Sequence, residues 1–324
     1  MKNMKNILTI AVSILIAKGV YGQAPNENKE TKEIKIIKKT TESSGASTNR
    51  QENEIRNFRF GLVILPSINW YETESKIFES DKISPKFGGG LSVEFRLAKV
   101  AAFQAGINIV TGGGKLKYSN GGLYVPGQST VSYYNSTSEE ILELDEVGTS
   151  SNPTPDLVHY QLNKRSYKTT YISIPFLLKL KTREIGTMVY YGQFGLNSFF
   201  RWKGRADDNV SILYSQKKGP GSIGEELTLS NQMISRDVSF YNAALNFGLG
   251  AEWNLAGTTS FLMGVSYNLG FTNVLRKRSK YLERRLNKQE YNQYDPATSN
   301  SYITNNLEQI VKENSLVFTI GVLF

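Results

Sequence analysis

In the stretch Tyr171-Ile-Ser-Ile-Pro-Phe-Leu-Leu-Lys-Leu-Lys181, apolar residues alternate with mixed or polar ones, and this alternation indicates the fold. One face carries Ile172, Ile174, Phe176, Leu178 and Leu180, and the other carries Tyr171, Ser173, Leu177, Lys179 and Lys181. A period of two is the period of a β-strand, since successive side chains point to opposite faces. The stretch therefore predicts a strand with one apolar face.

Seven other stretches alternate in the same way. They lie at about residues 58–70, 86–97, 100–111, 188–202, 240–253, 261–271 and 315–324. Each approaches or exceeds the roughly 9–11 residues that a tilted strand needs to cross a bilayer. Gly, Ser and Asn recur on the less apolar faces, which suits a narrow lumen. The sequence predicts an all-β fold, a transmembrane up-and-down antiparallel β-barrel of eight strands.

The connections between these strands alternate between short and long. Short connections lie at 98–99, 182–187 and 254–259, and long ones lie at about 71–85, 112–166, 203–239 and 272–314. Outer-membrane barrels have short periplasmic turns and long outer loops, so this order predicts periplasmic N and C termini. Turn residues at Asn120-Gly121-Gly122 and alternation at 210–214 leave ten strands as an alternative.

The composition excludes several kinds of site. The chain has 324 residues with no cysteine and one histidine, so disulfides, thiolate metal sites and a cysteine nucleophile are excluded. We expect no metal site and no cofactor. The net charge of +9 is spread along the chain without a nucleic-acid motif, so we expect no nucleic-acid partner.

The N-terminal region has the pattern of an export signal followed by a polar tail. Residues 1–22 hold Lys2 and Lys5, an apolar core at 7–17 and small residues at the end, which is typical of a cleaved signal peptide. Residues 23–57 contain no aromatic residue and are rich in Lys, Glu, Ser and Thr. Such a segment buries too little apolar area to fold, so we expect a flexible periplasmic tail before a barrel at 58–324.

In four features the chain resembles members of the Bacteroidota outer-membrane β-barrel family often called PorT-like. They are the leader ending at Gly22-Gln23, the Pro-containing strand Tyr171–Lys179, the Gly-rich strand Asn246–Trp253 and the aromatic last residue Phe324. The resemblance covers roughly residues 58–324 without the long loops. It implies an outer-membrane barrel with Phe324 as an insertion signal. The family's name-giving member is implied in type IX secretion and gliding.

Six charged residues are predicted to point into the lumen near one mouth. They are Arg59, Glu94, Arg96, Lys179, Lys181 and Glu252. Buried charges are costly unless they are paired, so we expect a structural salt-bridge network. A proton or solute path is the alternative, but eight strands leave room for little besides side chains.

A basic cluster follows the seventh predicted strand. It comprises Arg276, Lys277, Arg278, Lys280, Arg284, Arg285 and Lys288. Its height suits contact with anionic lipid headgroups. The alternatives are pairing with the acidic loop around Glu143 or simple solvation.

Three further features complete the expectations. His159 is expected to be a solvated loop residue, and no catalytic residue is predicted. Pro175 cannot donate to a β-ladder, so it predicts a bulge or locally broken pairing. Aromatic residues near the outer strand ends, among them Tyr71, Tyr118 and Trp202, predict an interfacial girdle.

The sequence predicts a non-enzymatic outer-membrane protein. One hypothesis is an accessory or subunit of an envelope machine such as type IX secretion or gliding. The alternative is a stand-alone barrel for adhesion, surface binding or envelope integrity, with a porin or a lipid-modifying enzyme less favoured. The expected partners are outer-membrane lipids and, if the first hypothesis holds, other envelope proteins.

Overall fold

The computed structural model describes residues 58–75, 77–118, 130–136, 140–144, 158–215, 224–285 and 304–324. The predicted signal peptide, the predicted tail and Asn120-Gly121-Gly122 lie outside them. The described part contains sixteen strands: β1 (Phe58–Ile64), β2 (Ser67–Thr73), β3 (Phe78–Ser80), β4 (Ser84–Lys86), β5 (Gly88–Ala98), β6 (Ala101–Gly112), β7 (Lys115–Tyr118), β8 (Thr130–Asn135), β9 (Val158–Lys181), β10 (Met188–Ser215), β11 (Glu226–Met233), β12 (Tyr241–Ala256), β13 (Thr259–Gly270), β14 (Arg278–Arg285), β15 (Thr304–Glu308) and β16 (Val311–Leu323). Within these residues, no helix is long and apolar enough to span a membrane.

Eight of the strands close into a ring. The order is β1-β5-β6-β9-β10-β12-β13-β16, and β16 pairs again with β1. Every pairing is antiparallel and the order follows the chain, so the all-β, up-and-down antiparallel prediction is confirmed. The other eight strands belong to the same sheet but lie outside the ring.

The outer wall of the ring is apolar. Phe60, Leu62 and Ile64 on β1 are 49–57% exposed, and the alternating positions of the other ring strands are exposed in the same way. An exposed apolar band of this kind is the lipid-facing surface of a membrane barrel. The alternation read from the sequence therefore assigned the faces of these strands.

Two ring strands run far beyond the barrel. β9 has 24 residues and β10 has 28, and they pair from Lys181–Tyr191 at one end to Val158–Ser215 at the other. The short connections 99–100, 182–187 and 257–258 mark one end of the barrel, here called the turn end. The overhang of β9 and β10 lies at the opposite end. Together with β2, β3, β7, β8, β11, β14, β15, the first residues of β16 and the segments between them, it forms what we call the extension.

The extension has a hydrophobic core of its own. Its buried residues are Tyr71, Phe78, Leu116, Tyr118, Val131, Tyr133, Ile141, Tyr160, Leu162, Tyr167, Ala206, Val210, Ile212, Ile234, Val238, Val274, Leu275, Tyr281, Leu282, Leu307 and Val311. The four long connections contribute to this core, so treating them as loops was wrong. Two aromatic residues assigned to the girdle, Tyr71 and Tyr118, are also core residues, whereas Trp202 is 57% exposed.

Two prolines interrupt β-pairing. The predicted strand at 58–70 divides at Pro66 into β1 and β2, which pair with β16 in one continuous register. On β9, the pairs Ala105–Phe176 and Asn108–Ser173 share one register with β6, while Pro175 and Ile174 have no partner on β6. Pro175 is paired with Asn197 on β10. Because proline has no N–H, a gap on one side of the strand is the expected response.

Candidate functional site

Five charged side chains meet inside the barrel near the turn end, and we call them the lumen cluster. Arg59 donates to Glu94 and to Glu252 at 2.7 Å each. Lys179 donates to Glu94 at 3.2 Å and to Glu252 at 2.5 Å, and Lys181 also binds both carboxylates. The two Glu side chains are 2–4% exposed and the two Lys side chains are 1–7% exposed. The Arg59 side chain is 18% exposed, so three cations share two carboxylates in a site that is largely shielded from solvent.

Strand register brings these residues together from four strands. Arg59 on β1 is directly opposite Glu94 on β5. Lys179 and Lys181 are two positions apart on β9, so both face inward, and Lys179 also lies 4.0 Å from the centre of the Tyr191 ring. Arg96 does not join the cluster. Its side chain is exposed one residue beyond the Phe58–Phe95 pair, and no ion pair in the described residues includes it.

Above the lumen cluster lies a polar cavity of about 110 Å³. Amides line it and bond to each other: Asn197 and Asn246 both donate to Asn268, which donates to Ser315. Four buried acceptor oxygens facing the cavity have no hydrogen-bond partner among the described residues. They belong to Ser92, Gln104, Asn108 and Asn197. The space and the acceptors suit several ordered waters.

Glu313 lies where the lumen meets the extension. Its carboxylate accepts hydrogen bonds from Asn69 and from the backbone N–H of Gly113, both at 2.7 Å. It therefore ties β2 and the β6–β7 connection to β16. No sequence pattern marks Glu313 as a residue of the site.

An ion pair that the sequence did not predict lies inside the extension. Arg165 donates two 2.7 Å hydrogen bonds to Asp208, and neither side chain is exposed. The guanidinium also lies 5.7 and 5.8 Å from the ring centres of Tyr133 and Tyr167.

A second buried acid of the extension is Asp237. Burial raises the pKa of Asp237, although Ser279 and the Lys280 N–H both donate to that carboxylate.

His159 is not a solvated loop residue, because it lies on β9 and is 4% exposed. Its Nε2 is 3.3 Å from Oε1 of Glu283, and the Ser132 hydroxyl donates to the same oxygen at 3.1 Å. The serine proton therefore has a carboxylate as its acceptor. Tyr134 stacks on the imidazole at 4.3 Å, so the group is packed inside the extension.

The predicted basic cluster is only partly arranged as a patch. Arg276, Lys277, Arg278 and Lys280 are exposed, whereas Lys288 lies outside the described residues. Arg278 faces Glu308 across β14 and β15 at 3.9 Å. The predicted acidic loop contributes Glu143, which pairs with Arg236 instead. In the described part of the chain, no group of three or more His, Asp or Glu residues could hold a metal ion.

The closed ring, its apolar outer wall and its polar lumen define an outer-membrane β-barrel protein. A family model described as the outer membrane protein beta-barrel domain matches residues 46–276, more than two thirds of the chain. The chain therefore belongs to this family. A search of curated proteins found no match.

Solved outer-membrane barrels show a weak overall likeness to the chain. Neisserial surface protein A is 9% identical, with 82% of this chain and 95% of that chain covered and a TM-score of 0.31. OprG from Pseudomonas aeruginosa is 9% identical, with 82% and 94% covered and a TM-score of 0.33. Ail from Yersinia pestis, crystallised with a heparin analogue, is 10% identical, with 83% and 99% covered and a TM-score of 0.27.

Proposed function

We propose that this protein is a non-enzymatic outer-membrane barrel that anchors a folded binding surface, the extension, at one face of the membrane. The main support for this proposal is that the extension has a hydrophobic core of its own. Two strands of the barrel, β9 and β10, continue into the extension without a hinge loop. A core of this size holds exposed side chains in fixed positions, which favours specific recognition.

The lumen supports this proposal over a channel. The lumen cluster occupies the turn end, and the cavity above it, about 110 Å³, has room for several waters. The extension supports it over an enzyme, because the Ser132 hydroxyl donates its proton to Glu283, and His159 Nε2 lies against the same carboxylate oxygen.

The orientation is part of the proposal and can be tested directly. Short turns of outer-membrane barrels face the periplasm, so we expect the extension to face the cell exterior. Since the chain has no cysteine, Thr228→Cys on β11 introduces a single thiol there, and Arg183→Cys places one at the turn end. A membrane-impermeant maleimide should label Thr228→Cys in intact cells and Arg183→Cys only after lysis. The reverse pattern would contradict the proposed orientation.

Two roles for the binding surface are distinguished by the size of the native assembly. As an accessory or subunit of an envelope machine such as type IX secretion or gliding, the protein should migrate in a large complex after mild detergent extraction. As a stand-alone barrel for adhesion or surface binding, it should migrate as one barrel in its micelle. Deleting residues 23–57 should dissolve the complex in the first case only, while barrel insertion persists in both.

A further inference from the structure

A group of basic residues continues the lipid-facing surface of β9 and β10 into the extension. On β9, the outward apolar positions end at Ile172, and the next outward positions are Thr170 and Lys168. On β10, Lys203 is opposite Thr170, and Arg205 is opposite Lys168. We call Lys168, Lys203 and Arg205 the rim triad.

Strand geometry places Lys203 within the lipid headgroup layer, and Lys168 and Arg205 just above it. A strand tilted by about 40° climbs roughly 2.5 Å per residue along the membrane normal. Lys203, level with Thr170, is then about 5 Å above Ile172, and Lys168 and Arg205 are about 10 Å above it. The headgroup layer is roughly 5–8 Å thick on each side, and long basic side chains can bend toward it. Trp202, 57% exposed, is the residue before Lys203, where interfacial tryptophans belong.

The charges of the rim triad are poorly compensated within the protein. Lys168 and Arg205 are directly opposite each other, and like charges in that arrangement destabilise a sheet. Asp207 is the neighbouring acid; it pairs with Lys168 and also accepts the Asn231 N–H at 2.9 Å. Lys203 has no ion pair within the described residues.

Arg205 has donor capacity left over. Its Nη1 donates to the Asn231 carbonyl at 3.0 Å, and its Nε is buried. A lipid phosphate outside the protein would therefore be bound by the remaining N–H groups of the terminal nitrogens, which form charge-assisted hydrogen bonds.

From this geometry we propose that the rim triad binds the phosphate groups of membrane lipid headgroups. An external anion cancels the repulsion between Lys168 and Arg205 and supplies acceptors to Lys203 and to the Arg205 guanidinium. The lipid is the occupant because the site is a direct continuation of the lipid-facing surface of the same strands. This site is distinct from the basic cluster that begins at Arg276. It would bind lipid phosphates in the leaflet that the extension faces.

Lipid retention by purified protein tests the proposal. The protein is reconstituted in nanodiscs of phosphatidylcholine containing a fifth phosphatidylglycerol, and retained phosphatidylglycerol is counted by native mass spectrometry. The site variant is Lys168→Gln/Lys203→Gln/Arg205→Gln. The control Lys115→Gln/Lys117→Gln/Lys164→Gln removes the same charge from β7 and β9 at positions two to four residues farther from the barrel than Lys168. Heat-modifiable migration in gels verifies that both variants fold.

The site variant should lose phosphatidylglycerol affinity by about tenfold or more, since each basic residue near the surface contributes about a fivefold factor. The control variant should stay close to wild type, and Lys168→Arg/Lys203→Arg should retain binding. Should the triple variant fail to fold, Lys203→Gln alone, which breaks no ion pair, should lower the affinity about fivefold. Unchanged retention in the site variant, or equal losses in both triple variants, would overturn the proposal.

Discussion

At the residue scale, the lumen cluster explains how the barrel tolerates five charges away from water. Each carboxylate is bound by three cations, so its oxygens are satisfied and its charge is more than compensated. Breaking a buried pair leaves an uncompensated charge, which costs far more than the pair itself contributes. Because the cluster has three cations and two carboxylates, removing a carboxylate should destabilise the protein more than removing a cation.

Glu252→Gln should therefore destabilise the protein strongly. It leaves Arg59, Lys179 and Lys181 with one carboxylate, and we expect a loss of about 3–5 kcal/mol in the free energy of unfolding. Lys181→Met leaves two cations with two carboxylates, so its cost should stay below about 2 kcal/mol. Urea unfolding in lipid vesicles measures both values. Equal losses would show that charge balance does not govern the cluster.

At the element scale, one junction between barrel and extension requires a glycine. β9 and β10 pass the junction with a register shift between Arg201 and Lys203. β6 instead leads into β7 through Gly113, whose φ is +108° and whose N–H is bound by Glu313. A Cβ at Gly113 would lie 2.5 Å from the Tyr167 carbonyl oxygen, so only glycine fits there.

Gly113→Ala should loosen the extension. Backbone strain and the clash with Tyr167 together should cost about 2 kcal/mol or more. Gly257→Ala is the matched control, because it also has a positive φ of +58° but open space around it, and it should cost about 1 kcal/mol. Hydrogen exchange of the extension amides measures the effect. Similar exchange in the two variants would argue against a special role for Gly113.

At the scale of the whole molecule, the barrel and the extension share strands but differ in what surrounds them. The barrel turns its apolar side chains outward and its polar ones inward, whereas the extension buries apolar side chains inside. Along β9 and β10, the apolar side chains face outward within the barrel and inward within the extension. This change supports the proposal of an anchored surface module over that of a pore.

Planar bilayers containing the protein should show no stepwise conductance. The lumen cluster occupies the turn end, and eight strands leave no second path through the barrel. Current recordings at neutral pH, with protein-free bilayers as the control, check this directly. Regular conductance steps from folded protein would contradict the closed lumen.

The period-two alternation was enough to predict the ring strands and their lipid-facing sides. It also predicted five of the six residues proposed for the lumen. This was possible because the pattern within each strand specifies which side chains face the lipid. Arg96 could not be excluded from the sequence, since its inward position lies just beyond the enclosing wall. The extension, in contrast, became apparent only in the tertiary structure. Its core takes single residues from strands far apart in the chain, and pairs such as Arg165 with Asp208 become partners only when β9 and β10 are aligned. No local pattern marks such residues, because the environment that buries them is assembled from the rest of the chain.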